Sequence, residues 1–306
     1  MDVPRVFGFG SATLTFRVGP TGGARPGSDL LAGETTTELG GATANALVQA
    51  ARLGLHAAWL GKLGNDWLGQ RILDGLEDEG VDCAAAVLDP KLCSPFHLVA
   101  PGAATVRLPN SLARLQLPEL EFLADRIDPG EWVLVELGEL PLAAVSAFCA
   151  RVRRREARIL MTVDLDPIHQ LGADPVDLQM LLAQADLLVP NAEAIRPLCE
   201  TDNPEIMAID LARRYHCVAV LHTPAGSWYA AASGLGDGFP ADLFEPVDPD
   251  GSEDAFRGGL LAGLAQGQSL PAALHLASQC AQRTAARPGP RTGMPRATEL
   301  ALDDHF

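Results

Sequence analysis

The stretch 248–256 carries residue types suited to phosphate chemistry. It reads DPDGSEDAF, in which a glycine turn at Gly251 runs into Asp254 at the predicted start of a helix. A helix N-terminus offers unpaired backbone amides and a partial positive charge, both of which attract phosphate. A carboxylate beside that phosphate could take a proton from a substrate hydroxyl. The alternative is that Asp254 is only a first-turn carboxylate that stabilises its helix.

Glu253 adds a second negative charge at the place where phosphate would bind. At a separation of about 5 Å, two unit charges repel by about 1 kcal/mol in water and by several times more in a drier site. The charge of Glu253 could be met by Lys62, by Arg257 or by a metal ion, and the sequence leaves these three alternatives open.

The composition favours a globular protein that binds a small molecule. The chain has 306 residues, 47% of them hydrophobic and 20% charged, which suits one large α/β domain or two smaller ones. The net charge of −16 argues against binding to nucleic acid or to an anionic membrane, since like charges repel. We therefore expect a small-molecule partner, with no nucleic-acid or membrane partner.

The cysteines and the N-terminal sequence predict a cytoplasmic protein. The six cysteines are scattered, with no CxxC pair and no histidine at metal-ligand spacing. The first residues lack the basic and apolar regions of a signal peptide. No apolar run approaches the roughly 20 residues that span a bilayer.

Short apolar runs alternate with helical patterns along the chain, which is typical of βαβ units and a parallel sheet. Two regions, 11–40 and about 92–116, are instead rich in Gly, Pro, Thr and Ser. Long structureless loops are uncommon in compact domains, so these regions are predicted to supply strands to a small accessory sheet that could cover an active site. Strands of the main sheet are predicted at residues 5–9, 57–61, 131–137, 159–164, 186–190 and 218–222.

A second motif begins at Gly40 and Gly41, which open a predicted helix that carries Asn45 in its first turns. Paired glycines allow the backbone to approach a ligand closely, and an asparagine amide can bind a hydroxyl. The helix ends in Leu-Gly at 53–54, and a glycine-rich turn, GKLGNDWLG, follows at 61–69.

Together these segments resemble the PfkB, or ribokinase-like, carbohydrate kinase family. Its first signature combines GGxxxN, a helix ending in LG, and GxxGxDxxG, and its second resembles DTxGAGDxF. The resemblance covers nearly the whole chain. It implies a three-layer α/β/α Rossmann-like fold with a small β-sheet lid, in a single domain over 1–306, with ATP and Mg²⁺ as co-substrates and phosphoryl transfer to a hydroxymethyl group of a sugar or sugar-like molecule.

The resemblance also assigns roles to residues of this chain. Asp254 would be the catalytic base, and the backbone amides from Gly251 through Ser252 and Glu253 would form the anion hole. The acceptor would bind at Ser11, Thr15, Gly40, Gly41 and Asn45.

Several positions depart from the family pattern. Thr15 stands where the family carries an aspartate that grips sugar hydroxyls, which predicts an unusual acceptor. In the loop that resembles NxxE, Asn191 matches but Glu193 lies one residue early, so it is only a candidate metal ligand. The nucleotide turn TxGxxG is represented by Thr223 and Gly226.

Because the chain departs from the family pattern at these positions, two functions remain open. The first is an active but divergent PfkB-type sugar kinase. The second is a catalytically weakened member that binds a sugar, nucleoside or nucleotide as a sensor or assembly partner. Lid strands in this family often pair between subunits, so the resemblance also implies a homodimer through the lid.

Overall fold

A computed structural model describes residues 3–19, 33–99, 106–108, 114–138, 140–164, 168, 172–234, 236–240 and 245–300. Parts of the predicted lid regions, 20–32, 100–105 and 109–113, lie outside the described residues. The strands are β1 (Arg5–Phe9), β2 (Thr13–Val18), β3 (Thr35–Gly40), β4 (His56–Leu60), β5 (Lys62–Gly64), β6 (Val87–Asp89), β7 (Phe96–Val99), β8 (Val106–Arg107), β9 (Trp132–Leu137), β10 (Arg158–Val163), β11 (Leu187–Leu188), β12 (Val218–Thr223), β13 (Gly226–Ala230) and β14 (Gly236–Pro240). The helices are α1 (Ala42–Arg52), α2 (Trp67–Glu77), α3 (Leu117–Ala124), α4 (Leu142–Arg154), α5 (Pro175–Leu182), α6 (Ala192–Ile195), α7 (Pro204–Tyr215), α8 (Ser252–Ala265), α9 (Leu270–Ala285) and α10 (Ala297–Leu300).

The main sheet has the strand order β14-β13-β12-β11-β10-β9-β1-β4. From β4 to β12 all neighbouring strands are parallel, and β13 and β14 extend the sheet as an antiparallel hairpin. The parallel strands are continuous apolar runs because both faces of the sheet are covered. The predicted strands of the main sheet are therefore confirmed, although the one predicted at 186–190 is only two residues long, and the β13–β14 hairpin was not predicted.

Helices cover both faces of this sheet. Alternate side chains of β1 point to opposite faces, so that Phe7 and Phe9 join a core with α3, α4, α5 and α7, whereas Val6 joins a core with α1, α2, α8 and α9. In the first core Phe9 stacks on Phe148 of α4, with 4.0 Å between the ring centroids. The predicted three-layer α/β/α arrangement is confirmed.

A smaller sheet, which we call the lid sheet, has the strand order β3-β2-β7-β8. Its strands come from the two regions that the sequence predicts to be inserted between α/β units. Strand β2 follows β1 closely, and β3 runs directly into α1. The β2–β3 pair is therefore connected to the main body through both β1 and α1. The described part of the chain has no helix long and apolar enough to cross a membrane.

Helices α1 and α8 pack unusually closely, and they carry Asn45 and Asp254. A Cβ atom at Gly258 of α8 would lie 2.3 Å from the carbonyl oxygen of Ala46 in α1. No real Cβ approaches a backbone oxygen that closely, so glycine at 258 permits this contact.

We expect Gly258→Ala to push α1 and α8 apart and to lower the free energy of unfolding by about 1–3 kcal/mol, the usual cost of overpacking. Gly54→Ala is the matched control, since a Cβ there meets no atom within 4 Å and only its positive φ is strained. Denaturant unfolding of both variants measures the difference. A Gly258→Ala variant as stable as wild type would show that glycine is not needed for the packing of α1 on α8, and Gly54→Ala gives the separate cost of an alanine at positive φ.

Candidate active site

The turn before α8 has a shape that only glycine permits. Gly251 has φ of 78°, and a Cβ on it would lie 2.2 Å from the carbonyl oxygen of Pro290. Asp248 holds the turn through its two carboxylate oxygens, which accept from the amides of Asp250 at 3.0 Å and Gly289 at 2.9 Å. Gly251 is the N-cap of α8 and offers no side-chain cap, so the first amides of the helix are not capped by its own N-terminal residue.

Two cavities meet at this helix start. The lid cavity, of about 410 Å³, lies between the lid sheet and the start of α1. The α8 cavity, of about 470 Å³, lies between the start of α8, the end of β12 and helix α9. Asp254, Asp164 and Asp250 line both cavities. A carboxylate on the shared wall can contact two different ligands at once.

Asp254 is a partly buried carboxylate, with its side chain 15% exposed, and it has fixed partners. Its Oδ2 accepts from Nδ2 of Asn45 at 2.8 Å, and its Oδ1 lies 3.3 Å from Nη1 of Arg257. Nε of Arg291 donates to Oδ1 of Asn45 at 2.7 Å, which fixes the amide so that its nitrogen faces Asp254. Burial raises the pKa of Asp254 to about 7, against the opposing effects of Arg257 and Asn45. A group with this pKa can exchange a proton near neutral pH.

Arg257 is the cation at the centre of this site. Its guanidinium is 3% exposed and lies 2.6 Å from Asp164, 3.2 Å from Glu253 and 3.3 Å from Asp254. Burial acts to lower the pKa of Arg257, but the three carboxylates together raise it above its ordinary value. The residue therefore stays charged and offsets the negative charge around Asp254.

The structure places Glu253 in the same network. Both of its carboxylate oxygens accept from Nδ2 of Asn191, at 2.8 and 2.9 Å, and Oε2 also pairs with Arg257. Lys62 lies elsewhere, bound to Glu119 at 2.9 Å. The sequence leaves open which group offsets the charge of Glu253. The structure shows Arg257 as its partner and places Lys62 elsewhere.

The five predicted acceptor residues all line the lid cavity: Ser11, Thr15, Gly40, Gly41 and Asn45. Gly41 is the N-cap of α1, with φ of 98°, and a Cβ there would lie 2.6 Å from the carbonyl oxygen of Ser11. The structure thus brings together the end of β1, the lid strands and the start of α1, as the motif spacing predicts.

Glu136, at the end of β9, lines the same cavity and was missed by the sequence analysis. It is 6% exposed, and its Oε2 accepts from Ser11 and Thr43. Burial raises the pKa of Glu136, with a further contribution from Asp164, while the bonds from Ser11 and Thr43 oppose that rise. The available signal was an acidic residue near the end of an otherwise apolar strand, WVLVEL.

The residues that are predicted to bind the nucleotide do not all line the same cavity. Asn191 and Thr223 line the α8 cavity, as do Ser252 and Glu253. Gly226 begins β13 and is not among the residues that line it. Glu193 has an exposed side chain and is likewise outside that lining, so its role as a metal ligand stays a prediction.

His222 forms part of the wall of the α8 cavity. Its ring stacks on Phe256, with 4.1 Å between centroids, and its Nδ1 is 2.9 Å from Oγ of Ser227. Burial, with Arg257 nearby, lowers the pKa of His222 to about 4. The ring is therefore neutral near pH 7 and contributes a flat, uncharged surface to the cavity.

The lid sheet is tied to the loop that precedes α8. Arg17 of β2 pairs with Glu38 of β3 at 2.6 Å and also bonds Asp250. The lid cavity is thus closed on one side by an ion pair between the lid and the turn that positions Asp254.

Comparison with known proteins shows the family to which this chain belongs. The family model described as "pfkB family carbohydrate kinase" matches residues 5–297. The chain belongs to the PfkB family. It is 27% identical over 297 residues to a ribokinase of Bacillus subtilis, covering 95% of this chain and 96% of that protein. It is 30% identical to an ATP-dependent ribose-1-phosphate kinase of Halopiger xanaduensis, with 87% of each chain covered.

A solved structure of the same fold is that of Arabidopsis thaliana ribokinase complexed with ribose and ATP. It superposes with a TM-score of 0.83 at 18% identity and covers 100% of both chains. At this identity the likeness establishes the ribokinase-like fold. The predicted PfkB resemblance and the predicted fold are therefore both confirmed.

We expect the carboxyl group of Asp254 to titrate near pH 7. In Asn45→Ala its pKa should rise further, because the bond from the Asn45 amide favours the charged carboxylate. Carbon NMR of the aspartate carboxyl groups measures the titration, and Asp254→Asn identifies the resonance by its loss. A titration near the ordinary aspartate value of about 3.9 would contradict the burial of this group.

Proposed function

We propose that this PfkB-family protein is an ATP-dependent kinase that phosphorylates a hydroxymethyl group of a sugar or sugar-like molecule. One observation carries the proposal: Asp254 lies on the wall shared by two cavities, at the N-terminus of α8. A phosphoryl transfer needs an acceptor hydroxyl within reach of both a base and the γ-phosphate of the donor, and two cavities that share Asp254 would provide places for acceptor and donor.

The step follows from this geometry. Asp254 takes the proton of the acceptor hydroxyl, and the hydroxyl oxygen forms a bond to the γ-phosphorus of ATP. The bond between that phosphorus and the bridging oxygen breaks, and ADP leaves with the electron pair. General bases contribute about 10²–10⁴-fold to such rates. The amides of Gly251, Ser252 and Glu253 would form the anion hole for the transferring group, as phosphates favour helix N-termini.

The acceptor is assigned to the lid cavity and ATP to the α8 cavity. Asn191 and Thr223 would lie beside the nucleotide, and the ring of His222, which is backed by Phe256, would border it. Mg²⁺ would neutralise phosphate charge, and it commonly uses only one or two protein carboxylates together with phosphates and water. Asp164 and Asp250 are oxygen donors of that kind in the α8 cavity.

A catalytically weakened sugar- or nucleotide-binding protein is the second candidate. The observation that favours it is the bond from the side-chain amide of Asn191 to the carboxylate of Glu253. In that function, the charge of Glu253 would keep the γ-phosphate out of the α8 cavity.

Calorimetric titration with ATP, with and without Mg²⁺, separates the two candidates. We expect wild type to bind ATP saturably in the presence of Mg²⁺, because Arg257 already offsets the charge of Glu253. Glu253→Gly should bind more tightly, since it removes a negative charge and frees the Asn191 amide. Transfer of the γ-phosphate to a sugar should follow in wild type and be lost in Asp254→Asn.

Binding that appears only in Glu253→Gly would instead support the second candidate. Asp254→Asn serves as the control in both cases, because it removes the base and keeps the shape of the site. Its ATP affinity should remain measurable, so that a loss of transfer can be separated from a loss of binding.

We propose a homodimer formed through the lid sheet. The edge strands of that sheet are β3 and β8, and edge strands need protection from uncontrolled pairing. Sedimentation velocity at micromolar concentration should give the mass of two chains, and a single-chain mass would contradict the proposal.

A cytoplasmic location is proposed as well, and the six cysteines, none of which is in a disulfide, are compatible with it.

A further inference from the structure

The segment 291–295 lies along helix α1 and brings Arg291 to Asn45. Three residues of α1 contact this segment: Asn45, Gln49 and Arg52, which share one face of the helix because they are four and three positions apart. Nε2 of Gln49 donates to a carbonyl oxygen of the segment at 3.0 Å, and Nη1 of Arg52 donates to the carbonyl oxygen of Arg291 at 2.7 Å. Nε of Arg291 in turn donates to Oδ1 of Asn45 at 2.7 Å. These bonds fix Arg291 beside a residue that lies 246 positions earlier in the chain.

The bond from Arg291 determines which end of the Asn45 amide faces Asp254. An arginine side chain can only donate, so it takes Oδ1 of Asn45 and leaves Nδ2, which donates to Oδ2 of Asp254 at 2.8 Å. Donation from an amide favours the ionised carboxylate. Without Arg291 the amide could rotate by 180° and present its oxygen, which can accept only from the protonated carboxyl group. Arg291 therefore selects the orientation of Asn45 that favours the ionised base.

Arg291 is not explained by its contribution to stability. Its Nη1 is buried and has no hydrogen-bond partner among the described residues, and an unpaired buried donor is unfavourable for folding. Burial also lowers the pKa of Arg291 to about 10, against the opposing effects of Glu79 and Asp254. The side chain still remains charged at pH 7, although the fold disfavours that charge. Groups whose pKa is perturbed in this way cluster at functional sites.

The charged side chains that act on Asp254 come from its own helix, from the end of β10 and from the segment after α9: Glu253, Arg257, Asp164 and Arg291. Asp250, in the turn before α8, lines the same two cavities. Arg257 favours the ionised form of Asp254, whereas Asp164 and Glu253 disfavour it. Arg291 attracts the carboxylate and also orients Asn45, so both of its effects act in the same direction as Arg257.

We propose that Arg291 is a positioning residue for the proton transfer: it holds the nitrogen of the Asn45 amide toward Asp254, so that Asp254 stays available as an ionised base. The inference rests on the proposed function, because that function makes Asp254 the base. It assigns a role in the reaction to a residue that lines neither the lid cavity nor the α8 cavity.

The first test is the titration of Asp254 without any ligand, followed by carbon NMR of the aspartate carboxyl groups. In Arg291→Met the pKa of Asp254 should rise by roughly one pH unit, because a nearby positive charge is lost and the Asn45 amide is no longer held. Arg291→Lys keeps a charge and a donor, so it should restore the pKa to about 7. An unchanged pKa in Arg291→Met would overturn the proposal.

Arg296→Met is the matched control. Its side chain is 65% exposed and lies near Glu79, at 3.9 Å, so the variant removes an arginine charge from the same part of the chain. We expect it to leave the pKa of Asp254 unchanged. A rise as large as that in Arg291→Met would show that the loss of any arginine here has this effect, and the positioning role would be wrong.

A double-mutant cycle tests whether Arg291 acts through Asn45. In the Asn45→Ala background, Arg291→Met should shift the pKa of Asp254 by less than half as much as in wild type, because only the direct effect of the charge remains. Equal shifts in the two backgrounds would contradict the positioning role. A lowered Tm in Arg291→Met without a shift in the pKa of Asp254 would assign Arg291 a structural role instead.

The pH dependence of phosphoryl transfer from ATP is the second test, with D-ribose and D-fructose as the acceptor probes. In Arg291→Met the acidic limb of kcat/KM should move upward by roughly one pH unit. At pH 7 kcat/KM should fall about fivefold, because the ionised fraction of Asp254 falls from about one half to about one tenth, and at pH 9 it should approach wild type. An equal loss at every pH would contradict the proposal.

The two experiments separate this inference from the kinase proposal. A shifted titration of Asp254 in Arg291→Met, with no transfer of the γ-phosphate to either sugar by wild type, would count against the kinase proposal alone. Phosphoryl transfer with the same pH dependence in wild type and in Arg291→Met would contradict only the present inference.

Discussion

The charge balance around Arg257 is the constraint on which the rest of the site depends. Three carboxylates converge on one buried guanidinium, and without it they would repel one another. Each carboxylate connects Arg257 to a different element of the fold. Asp164 follows β10, Asp254 reaches α1 through Asn45, and Glu253 reaches the start of α6 through Asn191. One cation therefore fixes the relative positions of the elements that border both cavities.

The presence of Glu253 is explained by this network. Arg257 lies four residues after Glu253 on the same helix, where side chains of opposite charge meet. The pair offsets the charge that a carboxylate brings to the helix N-terminus. Glu253 also engages Asn191, whose side-chain amide donates to both carboxylate oxygens of Glu253. The departure from the family pattern thus affects the hydrogen bonds at this edge of the α8 cavity, while Asp254 keeps its own partners.

The sequence predicts the framework of this protein better than the polar contacts within it. The spacing of glycines locates the starts of α1 and α8. Gly41 and Gly251 both have positive φ, a backbone conformation that favours glycine, so the residue type itself marks these two positions. Apolar runs likewise locate the parallel strands. The i,i+4 spacing of Glu253 and Arg257 was an available signal for that pair, but the bond from Asn191 to Glu253 could not be read from the sequence, because only the fold brings the start of α6 to the start of α8. Glu136 was missed because it lies far along the chain from Ser11 and Thr43, and only β-sheet pairing brings them together.

The position of Asp254 on a shared wall makes its proton affinity depend on both cavities. A polyphosphate in the α8 cavity would raise the pKa of Asp254 by charge repulsion, and the exclusion of water by ligands would raise it further through desolvation. A hydroxyl that donates to the carboxylate would act in the opposite direction. Arg257 limits the total rise, because its charge lies 3.3 Å from the same group. Since the pKa of about 7 already includes the effect of Arg257, the hydrogen bond from an acceptor hydroxyl is what favours the ionised carboxylate once both cavities are filled. The raised proton affinity would then help Asp254 to hold the transferred proton.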